Sequence, residues 1–144
     1  LTEIQPKCRK QIEQVAGREM SIPLWGKLLD VMTESVKDWR DLRVHPSCPI
    51  HTMFTAISVQ HDGRWCADIQ GAAQRKLPTY ASVVGYLEAA LGGDGQVHRT
   101  LSIHPSQLFQ AKDNTGKGGF TSRFGVVIHD PNFAAMIEAM KGDA

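Results

Sequence analysis

Hydrophobic and polar residues alternate most clearly between Met53 and Ile69. Alternate positions before the turn at His61-Asp62-Gly63 hold Met53, Thr55, Ile57 and Val59, which would share one face of a strand. After the turn, the alternation resumes with Trp65, Ala67 and Ile69. A period of two is typical of β-strands that turn one face to a core. This stretch therefore predicts a β-hairpin.

Two registers are compatible with this hairpin. A two-residue turn at Asp62-Gly63 sets Val59 opposite Cys66, whereas a three-residue loop sets Val59 opposite Trp65. The three-residue loop collects the apolar residues on one face, and it places glycine where such loops need a left-handed residue. We therefore expect the three-residue loop, although an Asp-Gly pair is also a strong signal for the shorter turn.

The first third of the chain repeats apolar residues at helical spacing. Residues from Ile4 to Val15 predict a helix that ends at Gly17, and Ser21 can cap a second helix. The second helix carries an apolar stripe wide enough to pack on a sheet or on the first helix. Its members are Leu24, Trp25, Leu28, Leu29, Met32, Val36 and Trp39. We expect Trp39 to lie in the core, with contact to a partner as the alternative.

The second half of the chain predicts two more helices and two more strands. A helical stripe follows Thr79 and runs to Leu91, where Gly92-Gly93 stops it. Strands are predicted from Val97 to Ile103, with the end near Arg99 at a sheet edge, and from Phe120 to His129. Asp130-Pro131 then opens a last helix as its cap and first residue. The core face of that helix is Phe133, Met136, Ile137 and Met140.

These elements predict an α+β fold in the order ααββαββα. About four helices would pack with an antiparallel sheet of about four strands, because the hairpin in the middle disfavours a parallel sheet. We expect one domain over residues 1–144, with a helical part at 1–43 and a sheet-and-helix part at 52–144. The start at Leu1 suggests a fragment of a larger protein.

Composition narrows the function classes only slightly. The net charge of +1 gives no strong indication of nucleic acid or membrane as a partner, and no apolar run is long enough to span a bilayer. Three widely spaced cysteines, Cys8, Cys48 and Cys66, favour a reducing compartment over a disulfide framework. We therefore expect a cytoplasmic chain without a cofactor.

Two groups of histidines are candidate sites. His45, Cys48 and His51 could bind zinc, but a structural site normally has four ligands, and we expect the neighbouring prolines to shape this segment instead. His98 and His104 carry nearby hydroxyl residues, as in enzymes that act on phosphodiesters. The two lie too far apart along one strand to act on one bond. His129 is the better partner for either, provided that the two strands pair.

A glycine-rich basic loop is the best candidate for a binding site. It runs from Asn114 to Arg123, where glycines allow backbone amides to approach an anion and basic residues supply charge. It lacks the spacing of a P-loop, and a flexible hairpin tip is the alternative. The expected binding residues are Lys112, Lys117, Arg123, Phe120 and Arg99.

These patterns lead to three hypotheses about function, which are given in order of preference. The first is a non-enzymatic protein-interaction or adaptor domain of a larger cytoplasmic assembly, based on the apolar stripe and the expected sheet edge. The second is a nucleic-acid-binding domain that uses the glycine-rich basic loop. The third is a histidine-dependent enzyme that acts on phosphodiesters. A protein partner is expected, nucleic acid is the alternative, and a membrane is not expected.

Overall fold

The structure is a computed structural model that describes residues 3–44, 51–69 and 71–141. Within these ranges it contains five helices and seven strands, and the strands that follow residue 82 all pair in antiparallel fashion. This confirms the α+β class and, approximately, the order of elements. The strands form three small sheets instead of one four-stranded sheet. The chain packs as two compact units: residues up to 61 with 65–81, and residues 62–64 with those from 82 onward.

The first unit begins with two helices, as the sequence predicts. Helix α1 spans Ile4–Ala16 and ends at Gly17, whose φ of 63° lies in the left-handed region that glycine adopts without strain. Helix α2 spans Ile22–Asp41 and continues into a 3-10 turn at Leu42–Val44. Ser21 is the residue before α2, as expected, but its buried hydroxyl makes no hydrogen bond to the helix. None of the described helices is long and apolar enough to cross a membrane.

A single core holds the first unit together. The apolar stripe of α2 packs against the segment that follows the hairpin, including helix α3 at Ala73–Tyr80. The buried members are Leu28, Met32, Val36, Ile69, Ala73 and Leu77. The expectation for Trp39 was wrong, because this side chain lies beyond the end of the packed stripe and is 53% exposed.

The hairpin is present, but its predicted register was wrong. Strands β1 (Ser58–His61) and β2 (Arg64–Ala67) are joined by the two-residue turn Asp62-Gly63, with φ values of 50° and 75°. Two successive positive φ values define a type I′ turn, whose twist matches that of the strands. Val59 therefore lies opposite Cys66. A shared apolar face does not set the register, because the hairpin buries no such face: Ile57 is 65% exposed.

The helix predicted from Thr79 to Leu91 was also wrong. Thr79 lies in the last turn of α3 and donates its hydroxyl to the carbonyl of Lys76. Strands β3 (Val83–Val84) and β4 (Tyr86–Leu91) follow. The residues of β4 have good helix propensity, but a ladder to a neighbouring strand satisfies the same backbone groups and overrides it.

Strand β4 belongs to a three-stranded sheet in the second unit. Its neighbour β5 (Val97–Ser102) is the central strand, and β7 (Val127–His129) lies on the other side. Strands β4 and β7 are the two edges of this sheet. Because β7 pairs only with Thr100, Leu101 and Ser102, within the described residues the end of β5 near Arg99 has a strand on one side only, as expected. The predicted strand from Phe120 is shorter than expected, because helix α4 (Phe120–Phe124) replaces its first half. Strand β6 (Lys112–Asp113) pairs with β3.

The last helix, α5, spans Phe133–Lys141 and closes the second core. Asn132 caps it by accepting a hydrogen bond from the backbone N–H of Ala135 at 3.0 Å. The predicted cap, Asp130, has a φ of 44° and uses its carboxylate elsewhere. The expected core face is confirmed in part by Met136, which is buried. It packs with Leu101, Ile103, Val83, Phe120, Phe124, Ile128 and Phe133.

The first core gives a direct stability test. Leu28 is 1% exposed, so Leu28→Ala should lower the free energy of unfolding of the first unit by about 2–5 kcal/mol through lost burial and a cavity. Val31 on the same helix is 43% exposed, and Val31→Ala is the matched control with an expected change below about 1 kcal/mol. Urea unfolding followed by the helical circular dichroism signal measures both. Equal losses for the two variants would contradict the assigned core.

Candidate functional site

The open edge of strand β4 is the most exposed regular element of the second unit. Every residue from Leu87 to Leu91 is exposed. In the part of the chain that the structure describes, the sheet order places β5 on one side of β4 and no strand on the other. An exposed edge strand presents backbone groups to which another strand can pair.

The alternation of hydrogen bonds along β4, here called parity, shows which of its backbone groups face outward. The N–H of Gly92 donates to the carbonyl of Gln96 at 2.8 Å, in the same register that pairs Tyr86 with Ser102. Because bonded pairs in an antiparallel ladder recur at every second residue, the even-numbered residues of β4 bond to β5. The N–H and C=O groups of Leu87, Ala89 and Leu91 therefore point to the open edge.

The side chains of these three residues share one face with an apolar end of β5. Leu91 is the Cα partner of Val97, and Leu87 is the partner of Leu101. Leu101 is buried in the second core, whereas Leu87 is 45%, Val97 50% and Leu91 75% exposed. The apolar face thus continues from the core onto the exposed end of the β4–β5 hairpin. We call Leu87, Ala89, Leu91 and Val97 the edge patch.

The opposite face of the sheet carries a histidine between two aspartates. His98 Nδ1 lies 3.2 Å from an oxygen of Asp130, and His98 Nε2 lies 3.1 Å from an oxygen of Asp94. Gly92 lies against this ring, and a Cβ there would approach the imidazole to 2.6 Å. The Asp94 carboxylate would be equally close to such a Cβ, so glycine at this position lets both side chains keep their places.

The charges of this cluster support one another. The carboxylates of Asp130 and, second, Asp94 raise the pKa of His98. The backbone N–H of Arg99 and then His98 lower the pKa of Asp130. The backbone N–H of Gln96 and then His98 lower the pKa of Asp94. A protonated His98 therefore joins the β4–β5 loop to the turn before α5.

His129 lies on the same face as His98. It is the Cα partner of Thr100, whose hydroxyl is 3.5 Å from His129 Nδ1. His98, two residues before Thr100 on β5, is therefore a diagonal neighbour of His129. His104 lies beyond the end of β5. The structure thus brings two of the three expected histidines onto one face.

The surroundings of these histidines are acidic. Glu88 is the Cα partner of Thr100 and lies in the same row as His129, while Asp94 and Asp130 hold His98. A phosphodiester is an anion, and nearby carboxylates repel it. Phosphodiester chemistry therefore stays a prediction from the sequence that this arrangement does not favour.

One carboxylate organises the glycine-rich loop. Asp113 accepts hydrogen bonds from the N–H and hydroxyl of Thr115, at 2.8 and 2.5 Å, and from the N–H and hydroxyl of Thr121, at 2.8 and 2.7 Å. The Thr115 hydroxyl accepts from the N–H of Phe120, and a side chain at Gly119 would collide with it. Burial alone would raise the pKa of Asp113, but the bonds from Thr115 and Thr121 lower it to about 2.

The expected binding residues have different roles in this arrangement. Phe120 packs into the second core, and Arg123 donates to the carbonyls of Gly118 and Ala139, each at 2.9 Å. Lys117 is exposed between two glycines of the turn.

The remaining two expected binding residues lie on different strands. Lys112 is half-buried on β6, whereas Arg99 is opposite Ala89 on the sheet. Nucleic-acid binding stays a prediction, with Arg99, Lys117 and Arg123 as the exposed cations among these five residues.

The expected zinc ligands lie largely beyond what the structure describes. His45 and Cys48 fall outside the described residues, and His51 is exposed. Within residues 3–44, 51–69 and 71–141, no group of three or more His, Cys, Asp or Glu side chains is arranged to hold a metal ion.

The sequence did not reveal the open edge of β4, nor that Asp113 and Asp130 hold the loops beside the sheet. The adjacent β-branched residues Val83 and Val84 are a weak strand signal that the helical stripe obscured. Asp113, two residues before Thr115, has the spacing of an Asx-turn, which local sequence could have revealed. The role of Asp130 depends on a strand that is distant in sequence.

The Asp113 hydrogen bonds predict a pH-dependent stability. A carboxylate with a lowered pKa contributes stability that is present above its unfolded pKa of 3.8 and is lost as the pH falls toward about 2. Asp113→Asn should therefore be less stable than the wild type above pH 4, and the difference should shrink as the pH falls. Urea unfolding at several pH values measures it. Thr121→Ser should keep the dependence and Thr121→Val should weaken it; a difference that does not change with pH would contradict the assignment.

The histidine cluster predicts a titration with the opposite sign. Because the pKa of His98 is raised, its stabilisation is present below pH 6.5 and is lost as the pH rises through the folded value. NMR titration of the His98 ring should give a pKa above 6.5, and Asp130→Asn should lower it while keeping an oxygen acceptor for Arg99. A ring that titrates at or below 6.5 in the wild type would contradict the geometry.

Comparison with known proteins assigns no family to this chain. No protein-family model, no curated protein and no solved structure matches it.

Proposed function

We propose that this chain is a non-enzymatic protein-interaction domain that binds by adding a partner strand to the open edge of β4. The supporting observation is the edge itself, where the backbone groups of Leu87, Ala89 and Leu91 face outward beside an exposed apolar patch. The proposal places the domain in a cytoplasmic assembly, which is consistent with the free thiols of Cys8 and Cys66.

Strand addition uses both the outward-facing backbone groups and the edge patch. Main-chain hydrogen bonds give affinity without regard to sequence, while alternate side chains give specificity. A partner strand with apolar residues at every second position would cover the edge patch. Each square ångström of apolar surface removed from water contributes about 25 cal/mol. The only charged side chain of β4, Glu88, lies on the other face, so it does not oppose an apolar partner.

The proposal predicts the effect of one proline. The N–H of Ala89 faces the open edge, so Ala89→Pro removes a donor that a partner needs while leaving the ladder to β5 intact. Ala90→Pro is the matched control, because it removes an N–H that bonds to β5. We expect Ala89→Pro to keep the fold and lose partner binding by at least about tenfold, or 1.4 kcal/mol. Ala90→Pro should lower stability instead.

Binding is measured with displayed extended peptides selected on the wild-type chain. Peptides with alternating apolar residues that bind the wild type and lose affinity for Ala89→Pro support strand addition. Circular dichroism confirms that the variant is folded. Failure to enrich any peptide, or peptides that bind the variant as tightly as the wild type, would reject the proposal.

A further inference from the structure

We propose that the strand added to β4 is β4 of a second copy of this chain, related by a two-fold axis at Ala89. This inference rests on the proposed strand addition and identifies its occupant. In this arrangement Ala89 faces Ala89 of the second copy, and Leu87 faces Leu91 of the second copy. The edge is complementary to itself in its backbone groups, its side chains and its charge.

The outward-facing backbone groups of the two β4 strands match in this register. All three outward-facing residues of β4 are odd-numbered, and an antiparallel register centred on Ala89 pairs odd residues only with odd residues. Leu87, Ala89 and Leu91 then each form a bonded pair with the second copy, giving about six hydrogen bonds in total. A register shifted by one residue would set outward groups opposite groups already bonded to β5.

The side chains match in the same register. Residues directly opposite in a sheet lie on the same face, so Leu87 meets Leu91 of the second copy at both ends of the pairing. Leu91 is 75% and Leu87 45% exposed in the single chain, and each would gain an apolar neighbour. Val97, the partner of Leu91 on β5, extends this apolar face on either side of the axis.

Charge and the number of paired residues select among the registers that parity allows. An axis at Ala90 also pairs odd residues with odd ones, but it sets Leu87 opposite Gly93, beyond the end of β4, and leaves only Ala89 and Leu91 to face each other. Centring the axis on Glu88 also pairs odd residues with odd ones, but it sets two carboxylates directly opposite, which is destabilising. Centring it on Ala89 sets Glu88 opposite Ala90. Arg99, the partner of Ala89 on β5, would be separated from Arg99 of the second copy by three strand spacings, about 14 Å. The net charge of +1 adds little repulsion between copies.

The arrangement is tested by light scattering and by cysteine cross-linking. Both use the full chain with its three natural cysteines replaced by serine. Ala89→Cys places two sulfurs across the axis, where Cα atoms of a bonded pair lie about 5.5 Å apart, within the 4.4–6.8 Å range of disulfides. Gly93→Cys is the control: it is exposed with open space around it, and the two copies would lie about 26 Å apart at this position.

The expected result is a dimer that dissociates in the micromolar range, is abolished by Ala89→Pro, and forms a disulfide at least about tenfold faster at Ala89→Cys than at Gly93→Cys. A wild-type chain that stays monomeric at every concentration while still binding peptides through β4 would overturn the second copy but leave strand addition in place. A dimer that survives Ala89→Pro, or that cross-links equally at both positions, would assign self-association to another surface and also overturn it.

Discussion

The pairing of β4 with β5 is the constraint on which the second unit depends. Setting Leu87 opposite Leu101 directs one face of the sheet toward the core under α5. The same register puts His98 and Thr100 on the other face, beside His129. A shift by one residue would exchange the two faces, because side chains alternate along a strand. The buried Leu101, 6% exposed, therefore also determines which amides of β4 face outward.

Two aspartates then fix the loops around this sheet. Asp113 ties the glycine-rich turn by accepting from both Thr115 and Thr121, and Asp130 holds the start of the turn before α5 by accepting from the N–H of Arg99 at 2.7 Å. Hydrogen bonds to a charged acceptor are stronger than those between neutral groups. Each carboxylate therefore replaces the backbone partners that an irregular segment lacks, and Asp130 also orients His98.

The edge of β4 lacks the features with which proteins usually protect a sheet edge. Protected edges are short, bulged, covered, or carry charges and prolines. Strand β4 has six residues, no proline, and a single charge, Glu88, on the face away from the edge patch. Its exposed side is regular and apolar, which is the combination that strand addition uses. This contrast, more than any catalytic group, distinguishes the surface of the second unit.

Local sequence was sufficient where local interactions decide the structure. The periodicity before Gly17 determined α1, and the Asp62-Gly63 pair determined the two-residue turn of the hairpin. The segment Tyr86–Leu91 carries both a helical stripe and the capacity for a strand, and only tertiary structure decided between them. Its ladder with Val97–Ser102 is stable because that strand also pairs with β7 and packs under α5. Such non-local contacts do not appear in a short sequence window, and the open edge follows from them.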